Sequence, residues 1–200
     1  MTSLPITETT RGRRLANRVS HERTTVHAIL DEGLVCHVGA VVNGRPWVQP
    51  TLHWRVGEDL FIHGHAGNGL YAALLAGAEA CATVSLIDGL VLARSAFHHS
   101  VNFRSVAVFG TVRNVTDPAE KTAALEAMMD KLAPGRWPDV RAPSASELKA
   151  TAVLALPITE ASAKVRQGPP KDDAEDYALP VWAGVVPLSL TRGEVIEDVS

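Results

Sequence analysis

Cysteine, tyrosine, positive charge in excess and long apolar runs are all scarce in this chain, and each shortage narrows its class. The two cysteines, Cys36 and Cys81, each sit inside an apolar run. They read as small buried hydrophobes of a reducing compartment, not as a disulfide framework. No apolar run nears the ~20 residues that a bilayer-spanning helix needs. A net charge of -3 leaves no basic field to attract nucleic acid or an anionic membrane, so neither partner is expected. No Gly-x-Gly-x-x-Gly follows a strand, so the doubly wound dinucleotide fold has no support. Residues 1–20 form a polar, basic arm without the apolar core of a secretory signal, and a cytoplasmic location is expected.

What is present is a sheet protein with strong punctuation. The 200 residues, 46% hydrophobic and 20% charged, fit one domain that can bury a core without staples. After the arm, residues 21–200 read as a single domain. His21 to Glu32 is a short helix with Val26, Ile29 and Leu30 as its apolar stripe, ending at Gly33. Strands Leu34 to Val42 and Trp47 to Val56 flank Asn43-Gly44, the pair favoured in a type I′ hairpin. Leu60 to His63 is a third strand, and Leu70 to Ala76 a short helix. The pattern then predicts a second hairpin, Ala80 to Ile87 and Leu90 to Phe97 about Asp88-Gly89, and a long strand from Phe103 to Val115. Asp117, Pro118 and Glu120 announce a helix through a capping box, running to about Leu132. Ser144 and Glu147 repeat the box ahead of an apolar strand from Ala152 to Ile158. The tail is looser and returns to a lone Trp182, as a loop closing over something would. Six or more strands in hairpins with helices at the edges predict a mainly β fold, a closed or nearly closed antiparallel barrel.

The polar groups within the strands carry the chemistry. Asp88 to Gly110 holds Arg94, His98, His99, Asn102 and Arg104 in an otherwise apolar segment, more donors than a buried strand tolerates without a ligand. His63, His65, His98 and His99 lack the spacing of structural zinc ligands, so no metal is expected. Arg94, Arg104 and Arg166 offer guanidinium groups suited to phosphate, and Gly64 to Leu70 is a glycine-rich turn between a strand and a helix. A plain strand-to-helix connection with surface arginines accounts for the same residues equally well.

Four segments, His27–Gly33, Asn43–Thr51, Asp88–Gly110, and Ala163–Pro170 with Val181–Gly184, resemble the pyridoxamine 5′-phosphate oxidase-related flavoproteins, including the nitroimidazole-resistance-like branch. The resemblance implies an FMN-binding split antiparallel β-barrel with peripheral helices, a homodimer with FMN at the subunit interface, and a small-molecule substrate. It places Val48, Gln49, Pro50 and Thr51 beside the flavin ring, and His63, Gly64, His65, Ala66 and Asn68 about the phosphate. It assigns Asn102, Arg104, Ser105 and Arg166 to the cofactor, and Trp182 to its cover. Where family members often carry serine and a basic residue, this chain reads Asn68, Gly69 and Leu70. Arg94, Arg104 or Arg166 then supplies the charge, or the flavin is held weakly.

The function implied is FMN-dependent oxidoreduction, with His98, His99 and His53 as candidate catalytic groups because imidazole exchanges protons near neutrality. A hydrogen bond to the barrel backbone is the plainer role for each. The rival expectation is a dimeric module that binds flavin or haem without turnover, its phosphate site weakened.

Overall fold

A computed structural model describes residues 2–198; Met1, Val199 and Ser200 lie outside the described residues. The described residues form ten strands and four α-helices. In order these are β1 (Val19–Ser20), α1 (Arg23–Glu32), β2 (Val35–Val42), β3 (Arg45–Val56), β4 (Asp59–His65), α2 (Gly69–Leu75) and β5 (Ala80–Leu92). Then come β6 (Ser100–Gly110), β7 (Arg113–Asn114), α3 (Pro118–Leu132), α4 (Ala145–Ala150), β8 (Thr151–Pro157), β9 (Glu160–Arg166) and β10 (Gly184–Pro187). The sheet order is β1-β9-β6-β5-β2-β3-β4-β8-β7, with β10 paired to β5. Every pairing with a resolved register is antiparallel. No described helix is long and apolar enough to cross a membrane.

The chain divides into two compact units, residues 2–86 with 105–165, and residues 87–104 with 166–198. The first holds the core. Strand β8 is buried on both faces: Leu154 and Leu156 join the main cluster with Leu30, Val38, Ile62 and Leu74, while Val153 and Ala155 join Trp54 and Phe61. That is why its sequence is an unbroken apolar run rather than an alternation. Trp54 stacks on Phe61 at 5.8 Å between ring centroids. Helix α1 buries the expected Val26, Ile29 and Leu30. The carbonyl of Leu30, in the last turn of α1, has no helical partner and accepts instead from His53 Nε2 and Lys131 Nζ, both at 2.9 Å.

Three sequence expectations are corrected. Asp88-Gly89 is not a turn: β5 runs straight through it, and Gly89 lies outside the positive-φ region that a type I′ turn needs. Arg104 holds the Asp88 carboxylate in a two-pronged pair at 2.9 and 2.7 Å, and β10 lies against Gly89. The strand predicted over Phe103 to Val115 starts earlier and breaks at Gly110, whose φ of 144° suits glycine, before the short β7. In α3, Asp117 caps the Glu120 amide at 2.8 Å, but Glu120 does not complete the box because its carboxylate pairs with Arg113 at 2.7 Å. The Ser144–Glu147 box is complete.

A Cβ on Gly89 would stand 2.9 Å from the Val186 carbonyl, a backbone atom that cannot swing aside. Gly89→Ala is expected to loosen β10 at a cost of about 1–3 kcal/mol. Amide exchange at Val185, Val186 and Leu188 should accelerate while that of β8 stays slow.

Candidate functional site

Asn43 and Gly44, with φ of 51° and 74°, close the β2–β3 hairpin as its sequence predicts, and this turn sets the register beyond it. Gly39 pairs with Val48 and with Cys81, and Val41 with Pro46, so all five share one face. Together with Phe109 they line an apolar groove of about 640 Å³, into which Thr9 and Glu79 bring the polar atoms. Val41 and Val48 remain 65% and 61% exposed there. Pro50 lies on the same strand face as Val48, opposite His37.

Gln49 and Thr51 point to the other face, towards α2. Asn68 Nδ2 donates to Gln49 Oε1 at 3.0 Å, and Thr51 Oγ1 lies 3.4 Å from the Tyr71 hydroxyl. Tyr71 in turn donates to the His63 carbonyl at 2.9 Å. Gly64 is required here, since a Cβ would stand 2.9 Å from the Tyr71 ring. In the following turn most amides are already bonded. Ala66 N donates to the Ala150 carbonyl, Gly67 N to His65 Nδ1 and Asn68 N to the His65 carbonyl. Leu70 N and Tyr71 N donate to Asn68 Oδ1, the N-cap of α2. Most of the amides expected to cradle a phosphate are therefore bonded within the protein.

The histidines separate by environment. His53 is fully buried, and its Nε2, bonded to the Leu30 carbonyl, must carry the proton. Burial first, and then the Lys131 ammonium 3.5 Å away, pull its pKa from 6.5 to about 4. It is a neutral core group that caps α1. His63 is half-buried against Trp54 at 5.7 Å, and burial lowers its pKa. His65 is exposed.

In the second unit, His98 Nε2 lies 3.2 Å from Asp173 Oδ2, and Asp176 completes a cluster whose ligand atoms all fall within 4.8 Å of one another. The carboxylates come from the acidic run Asp172 to Asp176, and its convergence on His98 had no sequence signal. His99 Nδ1 donates to the Ser95 carbonyl at 3.0 Å. Arg94 binds Asp172 at 3.1 Å and lies over the Tyr177 ring at 5.0 Å. Arg166 and Asn102, both buried, bond to each other, and Arg166 also donates to the carbonyls of Gly168 and Pro169. They clamp the Gly168–Pro170 loop. Arg94, Arg104 and Arg166 are therefore all committed to protein partners. Trp182 is 71% exposed, just ahead of β10. Ser105 belongs to the first unit, where its hydroxyl meets the Lys164 carbonyl at 3.4 Å.

The sequence profile of the pyridoxamine 5′-phosphate oxidase family matches residues 22–165. The chain belongs to that family. Two solved structures are similar across nearly its whole length. One is the flavocytochrome Anf3 of Azotobacter vinelandii, 44% identical, with a TM-score of 0.92 over 96% of this chain and 90% of that one. The other is an FAD- and haem-binding protein of Mycobacterium smegmatis, 38% identical, with a TM-score of 0.87 over 91% of this chain and 89% of that one. A 5-nitroimidazole antibiotic resistance protein of Bacteroides thetaiotaomicron, 24% identical over 74% of this chain and 86% of that one, shares the fold with a TM-score of 0.62. No curated protein sequence matches. For this member of the pyridoxamine 5′-phosphate oxidase family, the split-barrel architecture is the one the sequence predicts.

His53 makes a pH prediction. Because its folded pKa lies below 6.5, the unfolded chain binds the proton more tightly, and stability falls as pH drops from 6.5 towards about 4. The loss attributable to His53 reaches about 3 kcal/mol. Lys131, pulled down to about 8 chiefly by burial, acts in the same direction at alkaline pH. Urea melts of His53→Gln at pH 7 and pH 5 should show a flatter pH dependence than the wild type; equal slopes would assign the proton uptake elsewhere.

Proposed function

We propose that this chain is a flavin-binding redox protein that also carries haem, and that it works as a homodimer. The groove between β2, β3 and β5 supports the reading best. Its walls are flat and apolar, and its volume of about 640 Å³ falls in the range that cofactor sites occupy. The relatives similar over nine-tenths of the chain, a flavocytochrome and a protein that binds FAD and haem, favour this cofactor pair over flavin alone.

FAD is favoured over FMN on grounds of charge. The terminal phosphate of FMN is close to a dianion and calls for concentrated donors. Most amides of the turn after β4 are already bonded, and Arg94, Arg104 and Arg166 are paired. FAD spreads its charge along a diphosphate.

Bound flavin and haem supply hydride and single-electron chemistry. The chain's own part is positioning and exclusion. Val41, Val48 and Phe109 keep water from a ring lying in the groove, while the Asn68–Gln49 bond fixes the side of β3 that faces α2. His99 suits a haem ligand: with Nδ1–H donated to the Ser95 carbonyl, its Nε2 carries the lone pair, and the residue is exposed.

The purified protein should show flavin absorption together with a Soret band, and denaturation should release FAD in preference to FMN. A colourless protein that takes up neither cofactor ends this reading. His99→Ala is expected to remove the Soret band and leave the flavin bands; an intact Soret band assigns the iron to another ligand.

The exposed Val41 and Val48 beside the groove form the kind of apolar surface that a second copy covers. Sedimentation should give a dimer, and Val48→Glu should shift it to monomer.

A further inference from the structure

Arg45 and Trp47 stand one strand period apart on β3 and so share a face, and Trp47 also lines the groove with Pro46 and Val48. With Val42, Asn43 and Pro46 they line a depression of about 520 Å³ at the hairpin tip. Arg45 is exposed and makes no ion pair or side-chain hydrogen bond among the described residues. In this it differs from Arg94, Arg104 and Arg166. Trp47 is 45% exposed, yet its position is determined. A Cβ on Gly69 would come within 3.3 Å of Trp47 Cη2, so the ring lies close over Gly69. The next residue on the same strand face, Gln49, is tied to Asn68 at 3.0 Å. An aromatic face and an unpaired guanidinium are thus presented together, beside a turn most of whose amides are already bonded.

We propose that Arg45 and Trp47 bind the phosphate-bearing arm of the flavin nucleotide, Arg45 as the partner of the phosphate oxygens and Trp47 as the surface on which an aromatic ring stacks. Guanidinium supplies paired donors to phosphate, and indole is the side chain best suited to stacking. The cation missing after the β4 strand, where Asn68, Gly69 and Leu70 stand, then comes from the neighbouring hairpin. This assignment rests on the flavin reading, and it names residues that the resemblance leaves without a role.

Riboflavin, FMN, FAD and ADP provide the test, titrated into apoprotein of the wild type and of Arg45→Ala, Arg45→Lys and Trp47→Ala. Loss of one charge-assisted contact should weaken FAD and FMN by roughly ten- to a hundredfold in Arg45→Ala, with riboflavin unchanged. Arg45→Lys should recover part of the loss. Trp47→Ala should weaken FAD and ADP more than riboflavin. Unfolding midpoints confirm that each variant is folded. Equal weakening of riboflavin and FAD in Arg45→Ala, or no weakening of either, overturns the site. If the wild type binds no flavin at all, the flavin reading fails by itself, and ADP decides the site: binding lost in Arg45→Ala supports it, and no ADP binding overturns it.

Discussion

The register of the β2–β3 hairpin is the constraint on which the candidate site depends. Two residues with positive φ, Asn43 and Gly44, allow a two-residue turn, and that turn permits one alignment of the strands. A slip of one residue would exchange the two faces. Val48 and Pro46 would leave the groove, and Trp47 and Gln49 would leave the side of α2. Because the strand period is two, alternate residues of one short segment serve two unrelated surfaces. One surface is apolar and open, with Gly39 between Val48 and Cys81. The other carries Arg45, Trp47, Gln49 and Thr51, and meets Asn68 and Tyr71.

Several buried or half-buried polar groups elsewhere are given partners inside the protein, although Trp54 Nε1 and Arg94 Nε have none among the described residues. His53 and Lys131 share the orphan carbonyl that ends α1. Arg166 and Asn102 hold the Gly168–Pro170 loop, and Arg94 holds Asp172. These residues look like ligand contacts when read along the chain, since a charge in an apolar strand demands an explanation. The explanation is structural for most of them. It leaves Arg45 conspicuous, as an exposed arginine beside an exposed tryptophan with no partner among the described residues.

Much of the fold was legible. Helix α1, the first hairpin, β4, α2, the N-cap of α3, the α4 capping box and β8 all follow from periodicity and local turn chemistry, which act over a few residues. Asp88-Gly89 misled because an Asp-Gly pair is a turn only when no stronger partner claims it. Here Arg104 takes the carboxylate, sixteen residues away, and β10 takes the edge. Glu120 misled similarly, its carboxylate drawn to Arg113 rather than to its own cap. In the site, the resemblance pointed to Val48, Gln49, Thr51, Asn68 and their neighbours, and the fold does bring Gln49, Thr51, Asn68 and His63 into one hydrogen-bonded group. The approach of His98, Asp173 and Asp176 had no signal, because it joins segments seventy-five residues apart.

The amino-acid sequence by itself determined the family, through four segments that resemble it, and the mainly antiparallel sheet and the hairpin that aligns the site, which rest on local backbone preferences and on the order of apolar residues. Only the tertiary structure decided which charged groups are spent and which are free. Pairing depends on distance in space, and Arg45, Arg94, Arg104 and Arg166 are chemically identical until the fold supplies a carboxylate or a carbonyl to three of them.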